Sequence, residues 1–90
     1  MLFRSSSTVW SLPATRIRET HILRFLKDAK CSVRIVEVRL FKTSRLLDRM
    51  PEDRRRWEPG GDLTKTAKEI SKYISDSGSA EVTIVASDEL

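Results

Sequence analysis

Leu63, Ala67, Ile70 and Ile74 recur at i, i+4, i+7 and i+11, and a run of strand-forming residues, Glu81–Ala86, follows soon after. The first pattern is one face of a helix with Lys65, Lys68 and Lys72 left to water. Asp62 caps it, because a short acidic side chain can accept from the free N–H groups of the first turn. Gly78 closes it as the residue that adopts a left-handed conformation. In the second pattern Val82, Ile84 and Ala86 share one side and Val85 the other. So dense a run of β-formers predicts a strand inside a sheet rather than at its rim. A chain with this ending is neither all-helical nor all-β.

Upstream, Ile22, Phe25, Leu26 and Ala29 fall at i, i+3, i+4 and i+7 between Ile17 and Lys30, which predicts a second helix. Glu19 near its start and Lys27 and Lys30 near its end complement the helix dipole. The same stretch read as a strand, THILRFL, is the competing assignment. Cys31–Phe41 is the clearest strand, since Val33, Ile35, Val36 and Val38 are stiff at χ1 and suit a pleated surface. Val33 and Ile35 lie on one face and Val36, Val38 and Leu40 on the other. A bulge near Ile35–Val36, or a strand covered on both faces, accounts for this.

Ser44 can cap a short helix containing Leu46, Leu47 and Met50, and Pro51 ends or kinks it. Pro51-Glu52-Asp53 then reads as the first turn of another helical segment. Trp57-Glu58-Pro59-Gly60-Gly61 is a turn. Residues 1–16 contain no acid, four Ser and two Arg. They read as a loose tail or a short edge strand at Thr8–Leu12, against an alternative reading as an Arg- and Ser-rich targeting presequence. The expected fold class is α+β: a small single-layer sheet of two or three strands, two or three helices on one face, and at least one βαβ-like unit with parallel neighbours. Residues 17–90 make a single domain behind the 1–16 segment.

Ninety residues limit the chain to one small core. Hydrophobic residues make up 39% and charged residues 33%, and asparagine and glutamine are absent. Eleven of the seventeen cations are Arg. Loss of the heat-labile amides alongside charge enrichment suits a heat-adapted cytoplasm, although a codon bias toward G and C would produce part of it. The single cysteine, Cys31, forms no internal disulfide and suits a reducing interior. No apolar run is long enough for a membrane span.

Charge is unevenly placed. Residues 1–57 carry fourteen Lys and Arg against six acids, a net +8, whereas residues 58–90 carry three Lys against seven acids, a net −4. One portion of the molecule therefore projects a positive field. Its densest part is Arg45, Arg49, Arg54, Arg55, Arg56 and Trp57, with Arg34, Arg39 and Lys42 on the preceding strand. Guanidinium groups fork onto phosphate oxygens, and an exposed indole is a stacking platform for bases. This points to a small basic domain that binds RNA or DNA. The competing reading is a solvated helix face, in which Arg49–Asp53 and Glu52–Arg56 neutralise each other at i, i+4 and Trp57 closes the core. A third reading is an interaction module or small subunit that pairs with an acidic protein surface, or with itself through a sheet edge.

Catalysis is not expected. His21 is the only histidine, and with Cys31 it cannot supply the four ligands of a common zinc site. A Cys31–His21 dyad would need the helix and strand to bring the two together. Glu52 and Asp53 are flanked by Arg, which suits permanent carboxylates rather than a general acid. Gly60-Gly61 lacks the Lys-Ser/Thr of a phosphate loop, and Asp62 would repel a phosphate there. No cofactor is implied. The terminal Ser87-Asp88-Glu89-Leu90 looks like an endoplasmic-reticulum retrieval signal, but no hydrophobic leader core accompanies it. In outline the ending resembles small ferredoxin-like RNA-binding domains. Such domains carry an aromatic-rich third strand, and residues 41–61 hold only Phe41 and Trp57, so no functional residue is carried over.

Overall fold

In a computed structural model, residues 7–29, 32–42 and 51–88 are described. The elements are β1 (Ser7–Pro13), a single 3-10 turn (Ala14–Arg16), α1 (Glu19–Asp28), β2 (Ile35–Phe41), β3 (Asp53–Trp57), α2 (Leu63–Ser77) and β4 (Glu81–Ser87). Four strands form one sheet in the order β1-β4-β2-β3. Every neighbouring pair is antiparallel.

The expected layout of two or three strands with parallel neighbours is thus corrected. β1 and β2 do run the same way, joined through α1, but β4 lies between them. β3 and β4 likewise share a direction, joined through α2, with β2 between them. Inserting the antiparallel strand satisfies the ladder on both sides of β2 and β4, and these two central strands carry most of the buried apolar residues.

The α+β class holds because the two helices cover a single face. Val36, Val38 and Leu40 of β2 and Val82, Ile84 and Ala86 of β4 are all at most 1% exposed. They meet Ile22 and Leu26 of α1 and Ala67, Ile70 and Ile74 of α2 in one cluster. Burying each of these larger side chains contributes about 1.5–3 kcal/mol before the entropy of ordering it is subtracted. β2 needs no bulge. It begins at Ile35, so Ile35 and Val36 are ordinary neighbours on opposite faces, and Val33 precedes the strand.

α2 is capped as its sequence predicts. The Asp62 carboxylate accepts from the Lys65 N–H at 3.0 Å, and Gly78 takes φ +67° at the other end. α1 is a helix and not the alternative strand. Residues 7–13 are the edge strand β1, fastened to the core by Trp10 stacked on Phe25 with centroids 5.2 Å apart. The structure differs from expectation most at 53–57. The helical turn starting at Pro51 is instead β3, paired with β2 in the register Val36–Trp57, Glu37–Arg56, Val38–Arg55, Arg39–Arg54 and Leu40–Asp53. The helix expected at Leu46–Met50 lies outside the described residues.

Candidate nucleic-acid interface

Strand alternation decides where the cations go. In β2, Val36, Val38 and Leu40 point to the helices, so Glu37, Arg39 and Phe41 point to the other face, the open face in that no described helix covers it. In β3, Trp57 and Arg55 sit beside Val36 and Val38 on the helix side, so Arg54 and Arg56 share the open face with Arg39. The run Arg54-Arg55-Arg56 is therefore divided, with two guanidiniums on one side of the sheet and one on the other. A helical segment would have allowed Glu52 to neutralise Arg56. As a strand it does not, and the Glu52 carboxylate instead accepts from the Ser79 hydroxyl at 2.7 Å.

On the open face Arg39 lies directly across from Arg54, and Arg56 lies across from Glu37. Like charges opposed across a ladder are destabilising by a few tenths of a kcal/mol to about 1 kcal/mol, where opposite charges would stabilise. Glu37, the carboxylate on this face of β2 and β3 among the described residues, accepts from Arg39 Nη2 at 3.2 Å. The Glu37 side chain is 13% exposed and Arg39 39%. Arg39 Nε is buried with no hydrogen-bond partner. Arg54 and Arg56 are exposed.

Arg39 and Arg54 also line a hollow of about 440 Å³ with Val9, Ser11, Phe41, Pro51 and Thr83. Two hydroxyls lie in its lining, Ser11 Oγ and Thr83 Oγ1, hydrogen-bonded at 2.9 Å. Sequence reasoning missed both of them. The signal was present in the polar positions that alternate with apolar ones in β1 and β4, but their convergence needed the sheet order.

The remaining expected residues scatter. Lys42 is exposed just past β2, at the Arg39–Arg54 end. Arg34 is exposed just before β2, at the opposite end, where its backbone N–H donates to Ser87 O at 2.8 Å. Arg45 and Arg49 lie outside the described residues. Arg55 sits on the helix side, its guanidinium carbon 4.9 Å from the Trp57 ring centre and 5.7 Å from that of Tyr73. Trp57 is 8% exposed and meets Tyr73 edge-on at 5.4 Å. Its indole is a wall of the core, so the expected stacking platform is not on the surface.

The aromatic corner behind β3 is polar at depth. Trp57 Nε1 and the Tyr73 hydroxyl are buried without a well-formed hydrogen bond. Burial, and after it the neighbouring Asp53 carboxylate, pushes the Tyr73 phenol up to about 12. His21 is exposed on α1, with Nδ1 3.3 Å from Arg16 O. Cys31 lies outside the described residues. Among the described residues no group of three or more His, Cys, Asp and Glu comes together to hold a metal ion, and no helix is long and apolar enough to cross a membrane.

No protein-family model matches the chain, and neither does any curated protein or solved structure.

Proposed function

We propose that this domain binds a nucleic-acid strand, RNA or DNA, on the open face of β2 and β3, without catalytic function. The observation that carries the reading is the Arg39–Arg54 opposition with Arg56 beside it. Three guanidiniums share one face of two adjacent strands, and the carboxylate those strands place with them, Glu37, is ion-paired to Arg39. Folding concentrates this repulsion at one corner, and a phosphate between the arginines would relieve it with charge-assisted, bidentate contacts. The Ser11 and Thr83 hydroxyls add donors to the same hollow. Trp57 contributes no stacking in this reading, so affinity is carried by phosphates and specificity for particular bases is low.

Titrating a fluorescent single-stranded RNA at several salt concentrations tests this. With three phosphate contacts the logarithm of the binding constant is expected to fall against log salt with a slope of about −2, since each contact on a single strand contributes about −0.7. Replacing Arg54 and Arg56 together by Ala is expected to bring the slope to about −0.7. Duplex DNA and heparin in parallel separate a strand preference from general polyanion affinity. Absence of binding at low salt, or an unchanged slope in the double variant, would overturn the proposal.

A further inference from the structure

Of the two rims of this sheet, β3 carries three consecutive arginines, whereas β1, STVWSLP, carries no charge at all. Natural edge strands are usually protected from pairing by charge, bulges or covering elements. β1 has only Pro13, at its end. Val9, at 61% exposure, is the exposed large hydrophobic residue among those described.

The ladder shows which backbone groups of β1 have no partner among the described residues. The Ala14 N–H donates to Ala80 O at 3.0 Å, so the even-numbered residues of β1 turn their backbone groups toward β4. The odd-numbered residues Ser7, Val9 and Ser11 then turn theirs outward. Pro13 falls in the same outward set, where its missing N–H costs the β1–β4 ladder nothing. An antiparallel copy of the same strand, with Val9 facing Val9 across a two-fold axis, places Ser7 of each chain opposite Ser11 of the other. Every outward N–H and C=O of these three residues finds a partner, and Pro13 stays beyond the paired region.

The helix beside this edge has matching symmetry. His21, Arg24, Phe25 and Asp28 form the stripe of α1 that borders Thr8 and Trp10 around a hollow of about 330 Å³. Arg24 and Asp28 are one turn apart, and no salt bridge joins them. A two-fold axis at Val9 reverses α1 in the second copy, so Arg24 of each chain comes toward Asp28 of the other. We infer that β1 is a homodimerisation edge: two copies join β1 to β1 into one eight-stranded sheet, with reciprocal Arg24–Asp28 pairs closing the helix layer above it. The contact is isologous and therefore closes at two chains rather than growing into a fibre. The arginines of β3 exclude that rim from the same self-pairing, because Arg would meet Arg.

Sedimentation of the full chain over a concentration series tests this. The expected result is a monomer–dimer equilibrium. Val9→Pro removes one outward N–H per chain without touching the β1–β4 ladder, and Arg24→Asp sets acid against acid. Each is expected to weaken dimerisation at least about tenfold, with the circular-dichroism spectrum of the monomer unchanged. Arg24→Asp combined with Asp28→Arg exchanges the charges and is expected to restore the dimer. A wild-type chain that stays monomeric at every concentration overturns the inference. So does a dimer indifferent to both single substitutions, or one that the charge exchange fails to restore. Carrying out the series without nucleic acid keeps this outcome separate from that of strand binding.

Discussion

Trp57 has two roles open to it in the sequence, a surface for stacking bases or a plug for a small core, and the register of β3 chooses the second. Its place opposite Val36 turns it to the helix side, and Arg55 then covers the ring. Trp57→Ala is therefore expected to cost about 3–5 kcal/mol of stability, as core aromatic truncations do. Trp57→Phe, which keeps most of the bulk and removes the unpartnered Nε1–H, is expected to cost far less. Urea unfolding measures both. Comparable small losses would show that the ring is not buried as described. The neighbouring arginines were legible as a basic cluster but not as a surface. Arg54, Arg55 and Arg56 are adjacent in sequence, and only the strand conformation reveals that the middle one points away from the other two.

Among the elements, those whose own residues dictate them were readable and those held by their neighbours were not. α2 announces itself through its apolar period, Asp62 and Gly78, and β4 through Val82, Ile84 and Val85. β3 has no such signal. Asp53, Arg54, Arg55 and Arg56 are all exposed, only Trp57 is buried, and pairing with β2 rather than intrinsic propensity makes the segment a strand. The Glu52–Arg56 spacing is real in sequence and unused in space, where Glu52 accepts from Ser79. α2 and β3 are joined on the helix side by Tyr73, whose phenol is raised from 10.0 to about 12 by burial first and by Asp53 next. A raised value means that the folded state favours the neutral phenol. That stabilisation is whole below pH 10 and is lost as pH rises toward about 12, because the unfolded chain ionises first. Unfolding experiments across this window are expected to show the wild type losing more stability than Tyr73→Phe. Equal losses would remove Tyr73 as the alkaline-sensitive link.

For the whole molecule, the layering was legible because helix and strand periods alternate along the chain, and the sheet order was not. Antiparallel insertion of β4 between β1 and β2 depends on contacts between residues more than forty positions apart, such as Val36 with Ala86, which no local pattern encodes. That order leaves one face sealed by α1 and α2 and another that no described helix covers, with Arg39, Arg54 and Arg56 at one side and the uncharged β1 at the other. In the inferred dimer the two basic corners would stand at opposite ends of the joined sheet, about 34 Å apart across seven strand spacings. Amide chemical-shift mapping of the chain titrated with a short single-stranded RNA at low salt reads the proposed interface residue by residue. Perturbations are expected to concentrate on the open face, at Glu37, Arg39, Arg54, Arg56 and Thr83, with α2 behind the sheet largely unchanged. Perturbations centred on the helices, or no perturbation anywhere, would contradict that interface.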